Sequence, residues 1–360
     1  MTPRENILRL YRRQGYAHAP VRLKLCPALQ AEYERRAGEA AYGEYFDYPE
    51  GFGRRGVPPL QPVPRPPVDW ARYYPEPLAP GTRFSDYGVA REPGSVAAAH
   101  MTRMHHPLAT ATSLEEIKAY PYPQYDAQAI DEMRTVTAEI HRDGLAALGQ
   151  MQCTIWETAW YLRSMPALMM DMYEADEKAT VLLDIITENS CRRAVAFAAA
   201  GVDIIELGDD VGMQHAPLMS AEMYREWLKP RLAKVIAAVR AVRPDILVFY
   251  HSDGFVEPFI PDWLEVGVDI LNPVQPESMD FADLHARYGD RISFDGTLGT
   301  QTTMPFGTPD DVRTTVHRNL DQAGSAGGLL CCPTHMLEPE VPWANIEAYV
   351  QACKDFVPSG

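Results

Sequence analysis

Residues 201–253 read GVDIIELGDDVGMQHAPLMSAEMYREWLKPRLAKVIAAVRAVRPDILVFYHSD. Two apolar runs that end in polar residues, 202-VDIIELGDD-210 and 246-ILVFYHSD-253, enclose a stretch with helical spacing at 220–242. A strand, a long helix and a second strand form a βαβ unit, in which the helix is a crossover and the strands pair in parallel. The stretch therefore predicts an α/β fold with a parallel sheet.

The same alternation of helix and strand continues along the chain. Predicted helices lie at 126–144, 175–201, 220–242, 256–267, 309–324 and 342–356. Predicted strands lie at 20–25, 145–152, 202–210, 246–253, 269–275, 291–297 and 328–335. Because no Gly-x-Gly-x-x-Gly turn follows the first strand, a closed TIM-type (β/α)8 barrel is favoured over an open doubly wound sheet. We expect residues 1–360 to form a single barrel domain.

A proline-rich segment interrupts this alternation near the N-terminus. Residues 44–95 combine many prolines with interleaved aromatic residues, as in 57-VPPLQPVPRPP-67. Proline disfavours regular helices and central strands, because it has no backbone donor and a fixed φ. We predict a loop insertion over about 40–100, with a short hairpin around 82–92. A plain surface insertion and a lid over an active site both stay open.

Composition excludes several classes of partner. The 360 residues include 33 Lys and Arg against 49 Asp and Glu, a formal charge of −16, and no long basic tract, so nucleic acid is not an expected partner. The N-terminus is polar and no eighteen apolar residues run together, so we expect a soluble cytoplasmic protein without a membrane association. The six cysteines form no Cys-x-x-Cys pair and are expected to be reduced thiols.

Polar residues are concentrated at the ends of the predicted strands. In a barrel of this kind the chemistry collects where the strands end, so a single site is implied. The residues at these ends are Gln150, Gln152, Glu206, Asp209, Asp210, His251, Asp253, Asn272, Gln275, Asp295, Cys331, Cys332, Thr334 and His335.

The His-x-Asp pair at 251–253 has the spacing of two metal ligands. At a strand end, residues i and i+2 point to the same side, so His251 and Asp253 can reach one ion. A third ligand would come from Cys331, Cys332 or His335, which leaves a fourth position open as catalytic zinc requires.

Interpretations without a metal stay open for the same residues. His251 can hydrogen-bond to neighbouring carboxylates and orient a substrate. Cys331 and Cys332 lie in an apolar run and fit core thiols. The pair Asp209 and Asp210 can form a capped turn before the helix at 220–242.

Four stretches carry a resemblance to a known family, at 201–230, 250–280, 294–313 and 327–346. On these residues the chain resembles the uroporphyrinogen decarboxylase-like superfamily, and within it the zinc- and corrinoid-dependent methyltransferases. The resemblance covers roughly residues 1–20 and 125–356. It implies a TIM-type barrel with its site at the carboxyl ends of the strands, and a homodimer is an expected state because related barrels often pair.

The resemblance also implies a ligand set. In the zinc methyltransferases the metal is held by a His-x-Cys pair and by a later Cys in a Pro-x-Cys turn. The corresponding residues here are 251-HSD-253 and 333-PTH-335, which implies zinc held by His251, Asp253 and His335, with Cys332 as an alternative ligand. Such a set is harder than one with two thiolates and suits an oxygen ligand, so it favours a methyl ether over a thiol.

The leading hypothesis is a methyltransferase that passes a methyl group from a small O-methyl compound to a corrinoid. No Asp-x-His-x-x-Gly motif for cobalamin is visible, so a partner protein would carry the corrinoid. Catalytic roles are assigned to His251, Asp253 and Asp210. Substrate contacts are assigned to Glu206, Asp209, Gln214, Trp156, Glu157 and Asn272.

Two other functions stay open. One is a metal-free decarboxylase or lyase for a small acid, with His251 and Asp253 as acid and base. Coproporphyrinogen synthesis itself is disfavoured, because 20-PVRLKLCPALQ-30 stands where the decarboxylases have an arginine-rich Met-Arg-Gln-Ala-Gly-Arg segment. The other is a barrel that binds a ligand without catalysis.

Overall fold

A small antiparallel sheet lies inside the proline-rich segment. The computed structural model describes residues 1–53, 55–94 and 102–358, so the end of the predicted insertion at 95–100 lies outside the described residues. Strands β1 (Arg83–Phe84), β2 (Ala90–Glu92) and β3 (Arg103–His105) pair in the order β1-β2-β3. The predicted hairpin is confirmed, and β3 extends it by one strand.

The central sheet has six parallel strands, each paired with the next one in the sequence. They are β4 (Leu148–Met151), β5 (Ile204–Gly208), β6 (Leu247–His251), β7 (Ile270–Asn272), β8 (Ser293–Asp295) and β9 (Leu329–Leu330). Residues of β5 are buried on both faces, as expected of a parallel sheet covered by helices. Sequential order without a reversal is the order of a barrel, because each crossover returns the chain to the neighbouring strand.

The predicted strand at 20–25 is wrong. Only Leu25 pairs with another segment, through an isolated parallel bridge to Leu337. The side-chain hydroxyl of Tyr349 accepts a hydrogen bond from the backbone N–H of Arg22 and donates one to its carbonyl. The backbone groups that would join a strand ladder at this position are therefore bonded to a helix side chain instead.

Fifteen α-helices surround the sheet among the described residues. They are α1 (Pro3–Tyr11), α2 (Pro27–Ala37), α3 (Tyr42–Tyr45), α4 (Leu114–Ala119), α5 (Asp131–Arg142), α6 (Trp156–Arg163), α7 (Met165–Tyr173), α8 (Glu177–Ala200), α9 (Ala221–Trp227), α10 (Lys229–Val242), α11 (Ile260–Val266), α12 (Phe281–Tyr288), α13 (Thr303–Phe306), α14 (Pro309–Ala323) and α15 (Trp343–Asp355). None of them is long and apolar enough to cross a membrane.

Local signals explain where the predicted helices begin and end. The Asp176 side chain caps α8, which ends at Gly201 in the left-handed conformation, and Thr308 forms a capping box with Asp311 at the start of α14. The helix predicted at 220–242 is divided into α9 and α10. Pro230 explains the break, because it lacks the backbone N–H that a continuous helix would need there.

A buried carboxylate is the centre of a polar network at the amino ends of the strands, opposite to the predicted site. Asp203 precedes β5 and its side chain is 1% exposed. It accepts hydrogen bonds from Arg4 and from the backbone N–H of Ala147, lies 2.8 Å from His141 Nε2, and pairs with Arg243 at 3.5 Å. This network joins α1, α5 and α10 to the start of the strands.

Candidate metal centre

Three ionisable side chains meet at the carboxyl ends of β5 and β6. Asp210 follows β5, His251 ends β6, and Asp253 lies two residues further on. His251 Nε2 is 3.7 Å from Asp210 Oδ1 and 3.8 Å from Asp253 Oδ2, and the potential ligand atoms all lie within 4.8 Å of one another. The predicted His-x-Asp pair does converge, and Asp210 joins it.

A glycine lets the two loops that carry the carboxylates approach each other. A Cβ at Gly212 would lie 2.4 Å from the carbonyl oxygen of Asp253, so no other residue fits there without a backbone shift. The backbone N–H of Asp253 donates to Asp210 Oδ1 at 2.9 Å. The same contact that joins the loops thus orients the Asp210 carboxylate.

Asn272, at the end of β7, determines which nitrogen of His251 carries the proton. Its side-chain N–H groups donate to the carboxylate of Asp295 at 2.6 Å and to the Asp295 carbonyl at 3.1 Å, both of which only accept. Asn272 Oδ1 must therefore be the atom 2.6 Å from His251 Nδ1, and Nδ1 donates to it. Nε2 of the neutral ring then presents its lone pair to the two carboxylates.

Asp295 fixes this arrangement from behind. It ends β8, is fully buried, and accepts hydrogen bonds from the Tyr11 hydroxyl at 2.5 Å and from Arg22 at 3.2 Å. A metal-binding histidine commonly donates its second nitrogen to such a chain of acceptors, which holds the ring in the ligand orientation. The hydrogen bonds behind His251 are of the kind that metal-binding histidines make.

The carboxylates shift the titration of the group. Burial raises the pKa of Asp253, and the adjacent Asp210 raises it further. Burial lowers the pKa of His251, but Asp253 and Asp210 outweigh it, and the net pKa is raised. Gln275 donates to Asp253 Oδ1 at 3.1 Å and keeps that carboxylate in place. Excess negative charge around one imidazole favours a bound cation.

His335 and Cys332 lie outside this group. His335 is exposed and lines the same cavity as His251, but its ring is not among the ligand atoms that lie within 4.8 Å of one another. The Cys332 thiol is buried 3.6 Å from Asp295 Oδ1, and burial raises its pKa well above the usual range. Cys332 is therefore a buried thiol that lines the cavity, whereas Cys331 is buried outside its lining.

Asp209 and Trp156, two of the predicted substrate contacts, are buried away from the cavity. Asp209 accepts hydrogen bonds from the backbone N–H groups of Ile155 and Glu157 and so caps the start of α6. Burial and the neighbouring Glu157 raise the pKa of Asp209. Glu157 accepts a hydrogen bond from Tyr161 at 2.7 Å and another from the backbone of Asp210, so it supports the loop that carries Asp210.

The other predicted contacts lie nearer to the cavity. Glu206 lines it, and Gln150 and Gln152 donate to its carboxylate. Asn272 lines it too, but both ends of its amide are bonded to protein groups. Gln214 is exposed and does not line the cavity, and its side-chain amide donates to the Glu277 carbonyl.

The cavity beside His251 has a volume of about 150 Å³ and a mixed charge. Arg22 and Lys24, which sequence reasoning assigned to a strand, line it together with Glu206 and Asp295. Arg22 is paired with Asp295 at 3.2 Å and lies 4.0 Å from Glu206. The sequence did contain a sign that these two cations line the cavity, because the spacing Arg-x-Lys at 22–24 places both side chains on one side of an extended segment.

The donor set suits zinc. It offers one imidazole nitrogen with a free lone pair and two carboxylates, and the open cavity leaves room for another ligand. Nitrogen and oxygen donors without a thiolate match a site that binds an oxygen ligand. Asp210, rather than His335, completes the group.

Comparison with known proteins places the chain in a family. The profile described as uroporphyrinogen decarboxylase (URO-D) matches residues 2–356. The chain belongs to the URO-D family. A solved structure of a methyltransferase from Methanosarcina mazei superposes with a TM-score of 0.68 over 98% of both chains at 18% identity. The fold is thus the TIM-type (β/α)8 barrel that the strand order indicates.

Curated relatives of this family member include enzymes of two kinds. The chain is 27% identical to a uroporphyrinogen decarboxylase of Chlorobium limicola over 187 aligned residues, and the alignment covers 51% of each chain. It is 29% identical over 175 residues to the methylcobamide:CoM methyltransferase MtaA of Methanosarcina barkeri, which covers 48% of each chain. The chain thus spans about half the length of the curated relatives it matches.

Proposed function

We propose that the protein is a zinc-dependent methyltransferase that moves a methyl group from a small O-methyl compound to a corrinoid carried by a partner protein. The observation that carries the proposal is the His251 ring, whose Nε2 lone pair is aimed between two carboxylates by Asn272 and Asp295. Asp210, His251 and Asp253 would hold the zinc. Similarity to a methylcobamide:CoM methyltransferase supports methyl transfer as the reaction class.

The donor set agrees with an ether substrate. Zinc held by these residues would supply Lewis acidity, and the ether oxygen must accept the electron pair of the breaking carbon–oxygen bond. Asn272 holds the proton of His251 on Nδ1, so that Nε2 stays available for the metal. Gln275 and the backbone N–H of Asp253 hold the two carboxylates in place. Each of these contacts exists before substrate binds, which is the preorganisation that catalysis needs.

Charge at the cavity argues against a polycarboxylate substrate. Glu206, Asp210 and Asp253 surround His251, and the Arg22 guanidinium is already paired with Asp295. A compound with many carboxylates would meet repulsion here without enough free cations to offset it. An uncharged methyl donor enters the same cavity without that cost.

The test combines metal content with methyl transfer. Protein purified without chelators should contain about one zinc per chain, a single site as described for catalytic zinc. It should also methylate cob(I)alamin from an O-methyl donor, and His251→Gln should lose both properties. His285→Gln, on α12 and outside the lining of the cavity, is the matched control and should keep both. Full methyl transfer by zinc-free protein would reject the proposal.

A metal-free decarboxylase for a small monocarboxylic acid is the second candidate. Arg22 and Lys24 at the cavity could bind one carboxylate, and the similarity to uroporphyrinogen decarboxylases favours this reaction class. His251 and Asp253 would then act as acid and base. Carbon dioxide release that survives exhaustive chelation would favour this candidate over methyl transfer.

A further inference from the structure

A second, larger cavity adjoins the cavity beside His251 and shares lining residues with it. Its volume is about 460 Å³, within the range of about 300–1,000 Å³ that is usual for small-molecule sites. One wall comes from residues 40–53, 55 and 56 of the predicted insertion, and the other comes from residues 21–23, α5 and β4. We call this cavity the donor pocket.

Two residues join the donor pocket to the metal centre. Arg22 and Gln150 line both cavities. The Arg22 guanidinium carbon lies 5.5 Å from the ring centroids of both Phe52 and Phe249, and the guanidinium pairs with Asp295 and Glu206. Gln150 donates to Glu206 at 3.3 Å. A ligand in the donor pocket therefore reaches the cavity of His251 by passing these two side chains.

The walls of the donor pocket suit an aromatic ring. Phe52, Tyr48, Ile140 and Leu148 supply apolar surface, and aromatic side chains favour stacked or edge-on contacts with a second ring. Tyr42 also lines the pocket, and its hydroxyl donates to Gln30 at 2.6 Å. Cations of the walls are engaged as well, since Arg22 pairs with Asp295 and Arg55 with Glu132. Uncharged rings fit these walls better than phosphates or polycarboxylates do.

We propose that the donor pocket binds the ring of a methoxylated aromatic compound and directs its methoxy group past Arg22 and Gln150 toward His251. This inference rests on the proposed methyl transfer and names its substrate class. A donor as small as methanol would leave most of the pocket filled with water. An aromatic methyl ether would fill it and would leave as a phenolate, which is a better leaving group than an alkoxide.

Gly56 provides a way to close the pocket without touching the metal centre. It lines the pocket, its φ is not in the left-handed region, and the nearest atom to an added Cβ is Gln150 Oε1 at 3.8 Å. An alanine therefore fits at ordinary contact distance. A tryptophan at the same position extends from the pocket rim into the volume that the ring needs.

The test measures binding rather than turnover. Isothermal titration of the full chain with guaiacol (2-methoxyphenol) should give saturable binding to one site, with and without zinc. Gly56→Trp should weaken binding by about tenfold or more, whereas Gly56→Ala should change it by less than about threefold. Leu148→Phe fills the pocket from β4 and should act like Gly56→Trp, and thermal melting of each variant checks that it is folded.

The outcomes separate this inference from the proposed function. Guaiacol binding that is absent, or that neither pocket-filling variant weakens, overturns the inference. Loss of binding in His251→Gln also overturns it, because the ring would then lie at the metal centre. Guaiacol binding without methyl transfer to cob(I)alamin from any O-methyl donor supports the pocket and rejects the proposed function. Methyl transfer to cob(I)alamin without guaiacol binding supports the proposed function and rejects the donor pocket.

Discussion

Asn272→Ala isolates the contact that sets the proton of His251. The variant removes the acceptor 2.6 Å from Nδ1 and leaves the carboxylates of Asp210 and Asp253 unchanged. Without that acceptor the proton is free to occupy Nε2, where it blocks the metal, and the ring loses its fixed orientation. Loss of such an outer contact typically lowers metal affinity by about 10- to 100-fold, or about 1.4–2.7 kcal/mol.

Two measurements read this effect. Competition against a chromophoric chelator at pH 7.5 gives the zinc affinity of wild type and variant. Nitrogen-15 chemical shifts of the imidazole give the tautomer of the neutral ring in the zinc-free protein, measured at a pH above the raised pKa of His251, and we expect Nδ1–H in wild type and a mixture in the variant. Asn319→Ala is the matched control, because it removes a buried amide that bonds to Thr297 outside the metal centre. An Asn272→Ala affinity within about twofold of wild type would refute the reasoning, since an outer contact should exceed that.

Two further predictions concern the carboxylates. Asp253→Asn should weaken zinc binding by more than loss of an outer contact does, which is about 10- to 100-fold. It should also lower the pKa of His251 measured by NMR, because the Asp253 carboxylate raises that pKa. Asp131→Asn, whose wild-type side chain is 97% exposed, should change neither quantity. Asp203→Ala should lower the free energy of unfolding at pH 7, measured by urea denaturation, by about 3 kcal/mol. This value is at the low end for a broken buried ion pair, because the cationic partners of Asp203 keep some contact with solvent. Hydrogen bonds from Arg4 and Ala147 lower the pKa of Asp203 in the folded protein despite its burial. The stability difference between wild type and Asp203→Ala should therefore be present above about pH 4 and should shrink as the pH falls through the pKa of folded Asp203. A stability difference that grows in acid would contradict this role of Asp203.

Sequence patterns sufficed for the barrel and for most of its helices. Alternation of apolar runs and helical spacing located β4 to β9, because strands buried on both faces leave a continuous apolar signal. The pattern failed at 20–25, where apolar residues alternate with Arg22 and Lys24 as they would in a strand. Tertiary contacts decided that segment, since the Tyr349 hydroxyl bonds to the backbone of Arg22.

At the site, the sequence located the strand ends but not their geometry. The sequence predicted that His251 and Asp253 lie together, because residues i and i+2 at a strand end point to the same side and this needs no tertiary information. It assigned both Asp209 and Asp210 to the site, whereas in the structure the first caps α6 and the second faces His251. Nor could it see that Asn272 and Asp295 lie behind His251, because that chain of hydrogen bonds joins three different strands.

X-ray absorption at the zinc K-edge identifies the donor atoms of the bound metal and so tests whether His251 and the carboxylates hold it. Zinc held by Asp210, His251 and Asp253 should show one imidazole nitrogen and carboxylate or water oxygens at about 2.0–2.2 Å, with no sulfur. In Asp210→Asn the spectrum should change while the imidazole signal stays. A sulfur scatterer at about 2.3 Å would rule out this set of ligands, because it would place Cys332 or another thiol in the site instead of the carboxylates.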